Sequence, residues 1–345
     1  MNIFFKISSF SFIVCFLLFS RDVERVSIID ELITTHKFNI VAWEMKNLPK
    51  QAIDLFRTPK ITEDETRNYL KNKNFDQKDQ IELFFEREVS NKIKEKLRKN
   101  ILFPPLYVSL EKPPKVLIIS PRNRIYQQKA VLLNSDIPLE DIQYIEKTID
   151  SLDLSSIILD TGGFAAYPSI VNINKDYEST ISTISHEWLH HYLFFFPLGR
   201  SYFSDREMIF INETLADLFA DQISKNHHTP PSEPNLFFRS FMKETREKVD
   251  EMLKKQEIEK AEDFMQKRVK LLNNKGYKVR KINQAYFAFY GNYGNSPSST
   301  HNYHEKLMKL LDTYDSFADF LNEIKMIDDV DKLESLINFR TYNNQ

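Results

Sequence analysis

The stretch from Ile181 to Asp217 constrains this chain more than any other. It holds His186-Glu187-Trp-Leu-His190 and, further on, Asn212-Glu213-Thr-Leu-Ala-Asp217. On a helix, residues four apart share one face a turn apart, so His186 and His190 can direct both imidazoles at one ion. Glu187 sits beside them, placed to reach a metal-bound water as a general base. The flanks favour a helix: Ile181, Ile184, Trp188, Leu189 and Leu193 recur at helical spacing, and no Gly or Pro intervenes before Pro197.

Two histidines leave a catalytic zinc one protein ligand short of the usual three. The segment from about Asp205 to Lys225 reads as a second amphipathic helix, opened by Ser204-x-x-Glu207 in the form of a capping box, with Glu213 and Asp217 on one face. Glu213 is the candidate third ligand. In its Asn212-Glu213-x-x-x-Asp217 setting the chain resembles the gluzincins, the thermolysin-like zinc metallopeptidases. The resemblance implies Zn²⁺ held by His186, His190 and Glu213, with Asp217 holding the His186 ring through its other nitrogen. A metzincin pattern would need Gly at 193 and His at 196, where Leu193 and Phe196 stand. His191 points about 100° away from His190 and reads as a packing or surface residue.

The 42% of hydrophobic residues in 345 can fill a core, and 47 basic against 49 acidic residues give no argument for nucleic acid as a partner. Cys15 is the single cysteine, which excludes an intrachain disulfide and thiolate zinc ligation in the folded body. It lies in the apolar run Ile3 to Phe19, read as an export signal or membrane anchor covering residues 1–22. The expectation is a protein attached to the membrane through this segment or exported by it, with the catalytic body outside the cytoplasm.

Residues 23–103 carry helical periodicity for three or four helices. The region 104–226 changes to short apolar runs, Leu106–Leu110, Val116–Ser120, Ala130–Leu133 and Ser156–Asp160, with a helix near Leu139–Leu152 between them. Ser169–Ile173 reads as the last strand before the metal helix, and Pro168 suits an edge that could hold an extended peptide. Gluzincin aminopeptidases carry a Gly-x-Met-Glu-Asn motif here, whose glutamate grips the substrate amine. This chain has Gly163-Phe-Ala-Ala-Tyr167, which turns the expectation away from an amine-anchored exopeptidase.

Residues 227–345 read as helical and complete the cleft: a linker bearing His227-His228, a long helix or hairpin over 238–274, a short buried helix near 282–290, and two helices from His304 to Phe339. Tyr290, Tyr202, Tyr293 and His301 are candidates for the donor to the oxyanion that zinc hydrolysis requires. The fold expected is α+β and mainly helical, a small mixed sheet packed on a zincin-type active-site helix. The function expected is zinc-dependent peptide hydrolysis with Glu187 as base, acting on a peptide or protein substrate. The rival is a non-catalytic, membrane-attached binding protein with a structural metal site.

Overall fold

The computed structural model describes residues 28–54, 57–72, 76–224, 233–294 and 296–343. It is α+β and mainly helical, 59% helix and 9% strand. The chain divides into two units, 1–36 and 37–345. In the first, helix α1 (Ile28–Ile33) is followed by a 3₁₀ turn at Thr34–His36. Everything below concerns the second.

Three helices lead in, α2 (Ile40–Asp54), α3 (Glu63–Asn72) and α4 (Lys78–Lys96). Among the described residues six strands follow, as two three-stranded sheets. The mixed sheet has the order β1 (Val108–Leu110), β6 (Ser169–Val171), β5 (Gly163–Phe164), with β1 parallel and β5 antiparallel to β6. The other is antiparallel, in the order β3 (Lys129–Leu133), β2 (Lys115–Pro121), β4 (Leu154–Leu159), and α5 (Leu139–Asp150) covers it. Pro113 and Pro114, which lack N–H donors, stand between β1 and β2 where one ladder gives way to the next. Ser169–Val171 is therefore the central strand of its sheet and not the edge expected; the edges are β1 and the two-residue β5.

The mixed sheet packs on α6 (Tyr177–Leu193). Asp176 caps this helix by accepting from the Ser179 amide at 2.9 Å. Ile181, Ile184, Trp188 and Leu189 are buried on one side, which leaves Thr183, His186, Glu187 and His190 along the other. Trp188 also donates from Nε1 to the Pro104 carbonyl at 2.9 Å, so truncating it to alanine would cost about 3–5 kcal/mol. The helix ends at three phenylalanines before Pro197, which opens the short α7 (Pro197–Ser201).

Helix α8 (Arg206–Ser224) lies along α6 and buries Met208, Ile211, Leu215 and Phe219. Its start differs from the expected capping box. Ser204 donates to the Ser201 carbonyl, and Asp205 accepts from the Glu207 amide at 2.9 Å because it stands one residue closer to the free N–H groups. An α-helical hairpin follows, α9 (Glu233–Lys254) and α10 (Ile258–Asn274), then α11 (Gln284–Tyr290). The terminal segment forms three helices where two were expected: α12 (Tyr303–Leu311), α13 (Phe317–Ile324) and α14 (Val330–Asn343). Ser316 and Asp329 each accept from a backbone amide three residues on, starting fresh helices there.

Two hydrophobic cores result. One joins α3, α4, α6, α8 and the terminal helices around Trp188 and Phe219; the other joins β2, β4 and α9–α11 around Phe287. The expected membrane contact is corrected: among the described residues no helix is long and apolar enough to cross a membrane. The longest, α9, carries charges from Arg239 to Lys254. The apolar run in residues 1–22 and the His227-His228 linker lie outside the described residues.

Candidate metal centre

Helices α6 and α8 bring His186, His190 and Glu213 together, with one ligand atom of each within 4.8 Å of the others. The two Nε2 atoms are 3.0 Å apart, and Glu213 Oε2 lies 3.4 Å from His186 Nε2 and 3.7 Å from His190 Nε2. The far side of each ring is held. Asp217 Oδ1 is 3.1 Å from His186 Nδ1, and Asn212 Oδ1 is 2.8 Å from His190 Nδ1.

A ring proton on each Nδ1 satisfies Asp217 and Asn212, and both Nε2 lone pairs then face inward beside a carboxylate. Three acceptors converging at this range repel unless one positive charge joins them. A metal ion meets that need, and these three residues could hold one. In the metal-free protein a proton meets it. Burial works against a charge on His186, but hydrogen bonds to Asp217 and Glu213 and the Glu187 charge prevail, holding its ring well above the usual imidazole range. Burial dominates at His190, which is lowered. Burial also pushes Glu213 up, yet the charges and hydrogen bonds of the histidines and Tyr202 outweigh it and bring its carboxyl down to about 2.

Glu187 is 8% exposed, and among the described residues its carboxylate makes no hydrogen bond or ion pair. Burial raises it to about 7, with the nearby Glu213 adding to the rise and His186 opposing it. Across from it runs β5. A methyl group at Gly163 would lie 2.5 Å from Glu187 Oε1 and 2.5 Å from Thr183 Cγ2, so bare backbone is required there.

Tyr202 donates to Glu213 Oε1 at 2.9 Å. Tyr293 lies in the cleft, raised far above the usual phenol range by burial and by the charges of Glu213, Glu187 and Asp217. Its loop is seated on α8 by Gly294, where a Cβ would overlap Thr214. Tyr290 packs on Tyr286 and Phe289, and the carboxylate acting on it is Asp160. His301 stacks on Phe210 and bonds the Gly291 carbonyl at 3.1 Å. His191 packs edge-on against Tyr167, and its Nε2 has no hydrogen-bond partner.

All of this opens onto a cleft of about 1430 Å³ between the two cores. Exposed Phe103, Phe194, Phe195 and Phe203 line it on the side of the C-terminal end of α6. Sequence reading gave no role to Asn212 as the brace of His190, or to Lys175, which lines the same cleft. Asn212 carried a partial signal: it is an amide beside the third ligand in the Asn-Glu-x-x-x-Asp setting, but adjacent helical residues point about 100° apart, so only the packing of α6 on α8 brings it to His190. Lys175 carried none, since only the turn before α6 aims it inward. No family model, curated protein or solved structure matches the chain, and the functional reading rests on the site itself.

Proposed function

We propose that the protein is a zinc-dependent peptidase of the gluzincin type. The observation that carries this reading is Glu187: a buried carboxylate that no partner uses among the described residues, beside a group that could hold a metal ion and lining a cleft. A site serving only to hold the fold together has no use for such a group, whose burial is costly. Zinc is favoured by the donor set and by size. Tetrahedral bonds of about 2.0–2.2 Å separate ligand atoms by roughly 3.3–3.6 Å, against the 3.0, 3.4 and 3.7 Å found here.

His186, His190 and Glu213 would hold the ion, while Asp217 and Asn212 fix the two rings. Bound zinc supplies Lewis acidity, which polarises a carbonyl and acidifies water. Glu187 accepts the proton of the attacking water and returns it to the leaving amine. Tyr293, which lines the cleft and is acted on by the Glu213 and Glu187 charges, donates to the developing oxyanion; the Tyr202 hydroxyl is already committed to Glu213. The edge strand β5 offers main-chain groups to an extended substrate. A cleft of about 1430 Å³ exceeds the roughly 300–1,000 Å³ of small-molecule sites and suits a polypeptide.

The test is Glu187→Gln. Wild type should carry one zinc per chain and cleave unstructured peptides. The variant should keep the zinc and lose activity by about 10²–10⁴-fold. A variant that kept both zinc and full activity would refute the reading.

A further inference from the structure

Lys175 lines the cleft and has no part in the mechanism above. It sits in the turn ahead of α6, and its side chain reaches back along the helix, where Nζ donates to Thr183 Oγ1. An ammonium has three donors, and this is its one hydrogen bond among the described residues. Among those residues no carboxylate pairs with it within 4.0 Å. Adjacent Asp176 is occupied, accepting from the Ser179 amide at 2.9 Å and from the Ser179 hydroxyl at 2.7 Å. The lysine is half-buried and lines the cleft. Burial holds its ammonium below the usual range, with Glu187 and Asp176 opposing that fall.

Its position relative to the reacting groups is defined by two close approaches. A Cβ at Gly162 would lie 3.0 Å from Lys175 Nζ, and one at Gly163 would lie 2.5 Å from Glu187 Oε1. The ammonium and the base therefore approach adjacent residues, Gly162 just ahead of β5 and Gly163 at its start. Thr183, which holds the lysine, is one helical turn from Glu187, about 5.4 Å. A peptide lying along β5 advances about 3.3 Å per residue, so a group meeting Lys175 belongs one or two residues from the bond presented to Glu187.

We infer that Lys175 is a specificity-determining residue that binds a substrate carboxylate one or two residues from the scissile bond. This rests on the peptidase reading. An unpaired cation in a cleft wall gains most from an anion delivered by the substrate, because burial strengthens a charge-assisted bond. The carboxylate can be the peptide's C-terminus or an Asp or Glu side chain, and the two sources separate experimentally.

The experiment compares two pairs of N-acetylated oligopeptides with zinc-loaded full-length protein. One pair differs in a free C-terminal carboxylate against a C-terminal amide. In the other, amidated at the C-terminus, an internal Asp faces Asn. One pair should show a preference for the carboxylate of about 10–100-fold in kcat/KM. Lys175→Met should bring that ratio close to one with zinc retained, and Lys175→Arg should restore part of it; a merely structural lysine would lower both members equally. Equal cleavage of both members in both pairs by wild type overturns the inference and leaves the peptidase reading standing. If no peptide is cleaved, calorimetric binding of the same peptides to the Glu187→Gln protein decides. A carboxylate preference there keeps the anion site while the peptidase reading falls, and no preference sinks both. The wild-type and Glu187→Gln measurements hold even if Lys175→Met fails to fold.

Discussion

The two sides of the cleft are built differently. On the metal side, side chains meet over short stretches of chain: His190 and Asn212 are 22 positions apart, Tyr202 and Glu213 only 11. On the opposite side, Arg280 pairs with Glu146 across 134 positions, Asn283 reaches Ser156 across 127, and Gln284 reaches Arg122 across 162. Chemistry sits on the local side, where helix geometry alone aligns the groups. The wall that shapes the cleft is assembled late in the chain from distant pieces, around a core of its own. The difference implies that metal binding and cleft shape can be perturbed separately.

The largest effect tests the local side. Glu213→Ala removes one of three ligands and should weaken zinc binding by roughly a thousandfold, about a third of a 10–16 kcal/mol site. Competition against a metal chelator measures this, with circular dichroism showing the helices retained. Next is the wall. Phe287 is fully buried in the second core, and Phe287→Ala should cost about 3–4 kcal/mol in denaturant unfolding. Zinc affinity of the folded protein should stay put; a parallel loss would show that the two sides are one cooperative unit and break the contrast.

Tyr293→Phe sharpens it further, because this residue lines the cleft and the charges of Glu213 and Glu187 act on its hydroxyl. It should lower kcat by about 100-fold with zinc content unchanged. A normal kcat would return the oxyanion role to another group. The most gradual effect concerns pH. Burial holds His191 down to about 4, despite bonds to the Ala165 and Ala166 backbone. A buried neutral imidazole that charges on unfolding contributes stability above its unfolded value of about 6.5. That stability is lost as pH falls from 6.5 towards 4, on the order of 3 kcal/mol in all. His191→Gln should flatten this slope in thermal melts of the metal-free protein; an unchanged slope would assign it to other groups.

What could be read from the sequence follows the same division. His186, Glu187, His190, Glu213 and Asp217 are legible because a period of 3.6 residues converts spacing into direction. The strands between residues 104 and 171 were visible as apolar runs, but their division into two sheets depends on pairings that no local pattern encodes. The same holds for the edge: Pro168 suggested Ser169–Val171, and only the placement of β1 and β5 on either side makes that strand central. Tyr293 differed little from Tyr290 in the sequence, both lying in one aromatic segment, and the packing of Gly294 on Thr214 separates them. Lys175 was one lysine among many until the turn into α6 carried it to Thr183.

On the proposed peptidase reading, Gly162 and Gly163 bear on what could be tolerated in a substrate. Two residues without side chains, leading into β5, make a smooth rail ahead of Phe164: they offer main-chain hydrogen bonds to any polypeptide and no side chain to reject one. Selection must then fall to what flanks the rail, the lysine on one hand and the phenylalanine-lined mouth on the other. The tightness of that rail against Glu187 also leaves evolution little room, since even one added methyl would meet the base before it met a substrate.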